Sequence, residues 1–227
     1  MTDWKRQCAA VIPCFNEARS IQRVVAEVRE YLPRVFVVDD GSSDGTAEQA
    51  ATAGAEVIRQ PRNSGKGSAL RAGWQRARQR GFTWALTLDG DGQHTARDIP
   101  EFFAHAEKGP ARLIVGNRMG QGRGMPRMRR WTNRLMSSSL SHLTGTALPD
   151  SQCGFRLAHL ETLLKLSLAA RRFEIESEML VAFLAAGERV EFVPIEVIYE
   201  SNTSNIRPWR DTWRWLRWWA AQIPATD

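Results

Sequence analysis

The first half of the chain alternates short apolar segments with segments of helical periodicity, and this alternation constrains the fold more than any other feature. The apolar segments are rich in Val, Ile and Leu, as are parallel strands covered on both faces. The segments predicted as strands are 8–12, 34–38, 55–59, 83–88 and 111–116. Helices are predicted between them, at about 16–31, 46–53, 66–80 and 97–108. The pattern predicts an α/β fold, with a doubly wound, mostly parallel sheet and helices on both faces.

The second half is less regular. Helices are expected at about 127–143 and 173–186, and residues 190–198 resemble a strand pair interrupted by Pro194. The chain has no internal repeat and no low-complexity linker. We therefore predict one large domain at residues 1–206, followed by a basic, tryptophan-rich amphipathic helix at residues 207–227.

Composition restricts the compartment and the partners. The three cysteines, Cys8, Cys14 and Cys153, have no metal-ligand spacing, and an odd number favours free thiols in a reducing, cytoplasmic compartment. The N-terminal residues lack the apolar segment of a signal peptide, and no stretch of about 18 apolar residues occurs. The net charge of +6 favours partners that carry phosphate groups.

Acidic residues follow two of the predicted strands, at 39–44 and 89–91. Ligands of such sheets bind at the carboxyl ends of the strands, so both clusters are expected at one binding edge. Asp89 and Asp91 repel each other unless a cation lies between them. They can share a hard divalent cation such as Mg²⁺ or Mn²⁺, with Gln93 as a further ligand. The alternative is a solvated turn, because Asp-Gly is common in turns.

Residues near the other strand ends suit a nucleoside. A carboxylate of the 39–42 segment can accept hydrogen bonds from a ribose or base, although the segment can also cap the next helix. Phe15 can stack on a base and Glu17 can accept a hydrogen bond from it, while Glu17 can also stabilise a helix dipole. The segment 63–68 lacks the spacing of a P-loop, so we interpret it as a glycine-rich turn that enters a helix near phosphate.

Six motifs together carry a family resemblance. They are VIPCFNE (11–17), VVDDGSSDGT (37–46), NSGKGSALRAG (63–73), LDGDGQH (88–94), GNR (116–118) and DSQCGFR (150–156). In this order and spacing they resemble the family 2 inverting glycosyltransferases with a GT-A fold. The resemblance is strongest to the polyprenyl- and dolichyl-phosphate sugar transferases, such as dolichyl-phosphate mannose synthase, and it covers residues 8–206.

The resemblance implies roles for individual residues. Those implied to bind the nucleotide sugar are Pro13, Phe15, Glu17, Val38, Asp40, Lys66, Asp89, Gly90 and Arg118. Those implied to bind Mg²⁺ or Mn²⁺ are Asp89, Asp91 and Gln93. Those implied to bind the acceptor phosphate are Arg130 and Arg134. The segment implied to line the sugar pocket includes Asp150, Gly154, Phe155 and Arg156. The residues expected to act in the reaction itself are Asp91, Asp150 and Arg118.

The implied function is metal-dependent, inverting transfer of a sugar from a nucleotide sugar to a polyprenyl phosphate. A lipid monophosphate needs no base, because its second pKa is near 6, and Arg130 and Arg134 lie one helical turn apart to hold it. Transfer to a lipid or glycan hydroxyl is an alternative, with Asp150 as base. A basic nucleic-acid-binding module is another, because Trp and Arg are interleaved near the C-terminus. That module leaves the acidic strand ends unexplained, and we expect no nucleic-acid partner.

The C-terminal segment contains five of the nine tryptophans. On a helical wheel one face contains Trp209, Trp213, Leu216 and Ala220, with Trp215 and Trp219 beside it. The other flank contains Arg210, Arg214 and Arg217. This pattern is typical of a helix at a membrane surface, so we expect peripheral association with the inner face of the membrane. The alternative is packing on the domain itself or on a partner, including an integral membrane protein.

Overall fold

A computed structural model describes residues 2–120, 125–198 and 208–222, with the side chains of the last range described from residue 212 onward. The strands are β1 Cys8–Cys14, β2 Val35–Asp39, β3 Glu56–Arg59, β4 Trp84–Thr87, β5 Leu113–Asn117, β6 Arg156–His159 and β7 Val190–Pro194. The helices are α1 Trp4–Gln7, α2 Ile21–Arg29, α3 Thr46–Thr52, α4 Lys66–Gln79, α5 Ile99–Lys108, α6 Arg127–Thr144, α7 Leu160–Lys165, α8 Glu174–Ala185 and α9 Pro208–Ala220. A short 3₁₀ turn, Ala96–Asp98, leads into α5.

The strands form one seven-stranded sheet in the order β3-β2-β1-β4-β6-β5-β7. Strands β1 to β4 are mutually parallel, and β7 is parallel to β5. Strand β6 runs antiparallel to both of its neighbours, β4 and β5. The prediction of a mostly parallel α/β sheet is confirmed, and the chain reverses its winding direction at β1.

Helices cover the sheet through apolar faces that match the predicted periodicity. The buried face of α2 consists of Ile21, Val24, Val25 and Val28, and burial of each such side chain contributes roughly 1.5–3 kcal/mol. Helix α4 packs on β1 and β2, and Gly73 permits close contact because a Cβ there would lie 2.3 Å from Val11 Cγ1. Trp74 Nε1 donates to Thr87 Oγ1 at 3.1 Å, which satisfies a buried N–H group.

Several element boundaries differ from the prediction by one or a few residues, and two of these differences have a clear physical cause. Strand β1 continues through Pro13 to Cys14 instead of ending before the proline. Strand β4 pairs with β1 only as far as Val11, so Pro13 lies where one neighbouring strand has already ended. Helix α2 begins at Ile21 rather than near residue 16, because Asn16 has φ 57° and its loop is bonded to a neighbouring loop.

The sequence patterns missed α1, β6 and α7. Strand β6 is four residues long and is buried between two other strands, so it has no polar–apolar alternation to mark it. The expected strand pair at 190–198 is β7, which ends at Pro194, followed by an isolated bridge between Val197 and His94. The predicted domain boundary at 206/207 lies outside the described residues. Within the described ranges, no helix has the length and apolar character needed to cross a membrane.

Candidate active site

The loops after β1 and β2 are joined by a set of hydrogen bonds at the carboxyl edge of the sheet. The backbone N–H of Asn16 donates to Ser42 Oγ at 2.9 Å, and that of Glu17 donates to Thr46 Oγ1 at 2.8 Å. Phe15, beside them, is 37% exposed. The structure therefore places Phe15 and Glu17 at this edge, as expected for a nucleoside site.

Asp40 joins β2 to the loop before α4. Its Oδ1 accepts from the N–H of Ser64 at 2.8 Å and its Oδ2 from the N–H of Gly65 at 2.7 Å. Burial raises the pKa of this carboxyl, and the two backbone hydrogen bonds oppose that rise. Pro13 and Val38 are paired across β1 and β2 and are buried. The five predicted nucleoside residues thus lie at or beside one sheet edge, and their contacts with a nucleoside remain predictions.

The cation beside Asp89 in this structure is Lys66. Lys66 Nζ lies 2.5 Å from Asp89 Oδ1 and 2.6 Å from Glu176 Oε1. His94 Nε2 is 3.6 Å from Asp89 Oδ2. Burial would raise the pKa of Asp89, but the charge of Lys66 and the hydrogen bond from its Nζ outweigh that effect and hold the pKa well below its usual value. Asp89 is therefore a carboxylate at neutral pH.

Asp91 and Gln93 complete the predicted metal-binding set. Asp91 Oδ1 accepts from the N–H of Gln93 at 3.0 Å, and Gln93 Oε1 accepts from Arg129 Nη1 at 3.3 Å. Burial, and then the charge of Asp89, raise the pKa of Asp91. In the described ranges, no three His, Cys, Asp or Glu side chains lie close enough to hold a metal ion by themselves. A metal ion here would need amide, substrate or water oxygens as well.

Two glycines allow the backbone to come close to these carboxylates. A Cβ on Gly90 would lie 2.5 Å from Cys14 Sγ, so the Asp-Gly-Asp turn packs directly on β1. A Cβ on Gly154 would lie 2.6 Å from Asp89 Oδ2 and 2.9 Å from Lys66 Nζ. Any side chain at position 154 would therefore enter the space around the ion pair, which only backbone covers at this point.

Asp150 is a fully buried carboxylate of the site and is held mainly by Arg118. Arg118 donates from Nε and from its backbone N to Oδ2, at 2.8 and 3.0 Å, and from Nη2 to Oδ1 at 2.8 Å. Asn133 Nδ2 also donates to Oδ1, at 2.8 Å. Burial would raise the pKa of Asp150, but Arg118 and the hydrogen bonds outweigh it and lower the pKa below its ordinary value.

A chain of buried or half-buried hydrogen bonds continues from Asp150 to the C-terminal helix. Its members in order are Asn133, Ser137, Ser151, Gln152, Ser177 and Trp215. It ends where Trp215 Nε1 donates to Ser177 Oγ at 2.8 Å. Helix α9 is therefore connected through α8 to the residues that surround Asp150.

The segment 150–156 is fixed by Arg156, whose guanidinium is fully buried. Arg156 donates to the carbonyl oxygens of Cys153, Glu176 and Ser151, at 2.7, 2.6 and 2.9 Å respectively. These acceptors are uncharged, and burial lowers the pKa of Arg156. Arg156 thus joins the predicted sugar-pocket segment to the start of α8 and does not itself face an open pocket.

Helix α6 presents a basic and apolar surface. Arg134 is exposed, and Arg130 Nε is buried without a hydrogen-bond partner among the described residues. Between them Trp131 is 63% exposed, and Met128 and Leu135 are also exposed. The predicted acceptor arginines therefore lie next to an exposed apolar strip on the same helix.

Helix α9 has one face on the protein and one outside it. Trp215 is 4% exposed and stacks on Trp219, with ring centroids 6.2 Å apart. Trp213 and Leu216 are exposed. Helix α9 thus packs on the domain through Trp215, as in the alternative prediction, while the face with Trp213 and Leu216 is exposed. The side chains of Trp209 and Arg210, named in the sequence prediction, lie outside the described residues.

Sequence reasoning missed Glu176, Asn133 and Ser177. Glu176 and Ser177 are both buried within the first turn of α8. The signal that could have found them is polar residues at core-facing positions of an apolar helix, because such groups are buried only when they have partners. Asn133 is similarly buried on α6, three residues after Arg130.

The family model for glycosyl transferase family 2 matches residues 9–166, which is more than half of the chain. The chain belongs to glycosyl transferase family 2. The prediction of the family and of a glycosyltransferase is therefore confirmed.

Two curated relatives of this family 2 chain illustrate its similarities. Glycosyltransferase AglJ of Haloferax volcanii is 33% identical over 204 residues, covering 88% of this chain and 66% of that protein. The chain thus spans just under two thirds of that relative. The undecaprenyl-phosphate mannosyltransferase of Micrococcus luteus is 29% identical over 204 residues, covering 83% of this chain and 82% of that protein.

Solved structures support the fold of the family 2 domain. The glucosyl-3-phosphoglycerate synthase of Mycobacterium tuberculosis, crystallised with Mn²⁺, UDP and phosphoglyceric acid, superposes with a TM-score of 0.79. The match covers 97% of this chain and 80% of that one, at 19% identity. At this identity the match concerns the fold alone, and the GT-A prediction is confirmed.

Proposed function

We propose that this family 2 enzyme transfers a sugar, with inversion and with a divalent metal ion, from a nucleotide sugar to a polyprenyl phosphate. The donor would bind at the edge formed by β1, β2 and β4. The residues proposed to contact it are Pro13, Phe15, Glu17, Val38, Asp40, Lys66, Asp89, Gly90 and Arg118. The acceptor would approach past α6 and the segment 150–156.

The oxygen donors fit Mg²⁺ or Mn²⁺. Asp89 and Asp91 supply two carboxylates and Gln93 an amide oxygen, which are the hard ligands that these ions prefer. Asp89, Asp91 and Gln93 would hold the ion, and the ion would neutralise the charge of the leaving diphosphate. At Gly154 only backbone approaches Asp89, because a Cβ there would lie 2.6 Å from Asp89 Oδ2.

The hydrogen bonds of Asp150 are the observation that favours a phosphate acceptor over a hydroxyl acceptor. A hydroxyl acceptor requires a base that can take a proton. Asp150 is 0% exposed, its oxygens accept from Arg118 and Asn133, and its pKa is lowered. Those features suit a positioning residue for Arg118 and do not suit a proton acceptor. A phosphate acceptor, already ionised near neutral pH, needs no such base.

The surface of α6 supports a phosphate on a lipid. Arg130 and Arg134 lie one turn apart and would bind the phosphate oxygens. The exposed Met128, Trp131 and Leu135 would meet the apolar chain or the bilayer surface. Trp213 and Leu216 on α9 add a second exposed apolar site. The proposal includes peripheral attachment to the inner face of the membrane. The lipid acceptor class in the name of the Micrococcus luteus relative, undecaprenyl-phosphate mannosyltransferase, supports it.

One assay tests the proposal. Purified full-length protein is offered radiolabelled nucleotide sugars with polyprenyl phosphate and Mg²⁺ or Mn²⁺, and label is counted in the organic phase. We expect metal-dependent label for at least one sugar, and strong loss of label in Arg130→Ala/Arg134→Ala. Arg127→Ala, on the same helix, is the matched control. Label on a lipid hydroxyl but none on polyprenyl phosphate would instead establish the hydroxyl alternative.

A further inference from the structure

Lys66 lies between two carboxylates, and one of them, Asp89, belongs to the proposed metal-binding set. Its Nζ is 2.5 Å from Asp89 Oδ1 and 2.6 Å from Glu176 Oε1, and its side chain is 13% exposed. Resting on the proposed metal-dependent transfer, we propose that Lys66 occupies the cation position of Asp89 until the metal ion arrives. Glu176 is then the positioning residue that retains Lys66 after it has left Asp89.

The backbone around Lys66 is held from two sides, so the exchange involves the side chain alone. Asp40 Oδ2 accepts from the N–H of Gly65 at 2.7 Å. The carbonyl oxygen of Arg171 accepts from the N–H of Ser68 at 3.3 Å. Because Gly65 and Ser68 are anchored on either side, Lys66 stays within reach of both carboxylates and changes partners by rotation of its side chain.

A lysine suits this exchange better than an arginine would. The ammonium group is a compact charge on a flexible four-carbon chain, whereas the guanidinium is a rigid fork. Lys66 is also the first residue of α4, where the helix dipole disfavours a cation. Two carboxylates offset that effect, and one of them remains when a metal ion takes Asp89. The exchange therefore leaves no buried charge without a partner.

Glu176 is fixed in position, so it remains a partner of Lys66 when Lys66 leaves Asp89. Its side chain is 6% exposed, and its carbonyl oxygen accepts from Arg156 Nη1 at 2.6 Å. The backbone at Gly154 closes a third side, because a Cβ there would lie 2.9 Å from Lys66 Nζ. Lys66 thus has two available arrangements, shared between the carboxylates or bound to Glu176 alone.

This exchange couples metal binding to donor binding. A metal ion without nucleotide must displace Lys66 from Asp89, so it binds weakly. A nucleotide diphosphate gives the displaced ammonium new acceptors and gives the metal ion further ligands. Each therefore strengthens the binding of the other, and the coupling is reciprocal.

Mn²⁺ binding to the full chain, followed by electron paramagnetic resonance with and without UDP, tests the proposal without an activity measurement. Lys66→Met is expected to bind Mn²⁺ alone about tenfold more tightly than wild type, within the range of such couplings. Glu176→Gln is expected to bind it more weakly, because Lys66 then has Asp89 as its remaining carboxylate partner. Lys165→Met, which removes an exposed i,i+4 pair with Glu161, is the matched control and is expected to match wild type.

The double variant Lys66→Met/Glu176→Gln separates competition from net charge. It has the same total charge as wild type and removes the buried Glu176 carboxylate together with its ammonium partner, so the carboxylate that loses Lys66 is the partly exposed Asp89 and the risk of unfolding is smaller than in Lys66→Met. Tighter Mn²⁺ binding than wild type, with less strengthening by UDP, supports the proposal. Wild-type affinity or weaker binding in the double variant overturns it while leaving the proposed function intact. If wild type binds no Mn²⁺ even with UDP, both the inference and the proposed metal dependence fail.

Discussion

Asp89 and Asp150 are two carboxylates of one site, each beside a single cationic side chain, yet they are held in different ways. Asp150 is 0% exposed and accepts from the guanidinium and backbone of Arg118 and from Asn133. Asp89 is 28% exposed, and its cation is the single ammonium of Lys66, which is shared with Glu176. All contacts named for Asp150 hold it in one geometry, whereas Asp89 is partly exposed and can accept a different cation.

Under the proposed exchange, this difference separates a structural charge at Asp150 from an exchangeable charge at Asp89. A bidentate pair with further hydrogen bonds fixes both partners in one geometry. A lysine shared between two carboxylates keeps the charges balanced without fixing the geometry of either. Substitution at the two aspartates should therefore change different properties of the enzyme.

The largest effect is expected on stability, from Asp150→Asn. The substitution removes the buried carboxylate charge that Arg118 contacts at 2.8 Å, and breaking a buried pair in this way costs about 3–5 kcal/mol. Urea denaturation followed by circular dichroism measures the change. Asp98→Asn, at a half-buried carboxylate that accepts from the N–H of Glu196 at 2.9 Å, is the control. A change in the free energy of unfolding below about 1 kcal/mol, as for an exposed pair, would show that Asp150 and Arg118 do not form a stabilising buried pair.

Asp89→Asn is expected to reverse the pattern, with a large loss of activity and a small loss of stability. Lys66 keeps Glu176 as its partner, so no buried charge is left alone. Removing one charged group from the donor site should lower kcat by roughly 10²–10³-fold. Transfer assays and thermal denaturation on the same preparation measure both properties. Substantial metal-dependent activity in this variant would contradict the proposed ligand set.

The contrast between these carboxylates could be predicted only in part from the sequence. Asp89 follows a buried strand directly, so its place at the sheet edge followed from the pattern. Its partner Lys66 lies in a different motif, and Glu176 comes from α8, far along the chain. Contacts between such distant segments depend on how β6 reverses between β4 and β5, and that strand has no periodicity to reveal it.

The pH dependence of stability provides a third test. The pKa of Asp150 is lower in the folded protein than in the unfolded chain, so its stabilisation is complete above the unfolded pKa of about 3.9. It is lost as pH falls below that value and through the folded pKa, at up to about 1.4 kcal/mol per pH unit. Melting temperatures from pH 6 to pH 3 should therefore converge for wild type and Asp150→Asn. Curves that stay parallel over this range would show that Asp150 is not ionised in the folded state, or has no shifted pKa.

The smallest effect is expected at the far end of the Asp150 hydrogen-bond chain. Trp215→Phe keeps an aromatic ring but removes the hydrogen bond to Ser177 Oγ, for a loss of about 0.5–1.5 kcal/mol. Because these hydrogen bonds lead to Asp150 and not to Asp89, the KM for the proposed polyprenyl-phosphate acceptor should rise while Mn²⁺ and UDP binding stay unchanged. Steady-state kinetics with varied acceptor measures the KM, and a separate Mn²⁺ titration measures metal binding.

The exposed Trp213 on the same helix gives the matched control. Trp213→Phe should leave the melting temperature unchanged and weaken sedimentation with anionic vesicles, because Trp213 faces outward while Trp215 packs on the protein. Equal effects of the two substitutions on acceptor KM would show that α9 acts on the acceptor through the membrane alone. A rise in acceptor KM in Trp215→Phe but not in Trp213→Phe would show that the buried hydrogen-bond chain transmits the position of α9 to Asp150. Unchanged Mn²⁺ and UDP binding in the same variant would show that Asp89 is independent of that chain.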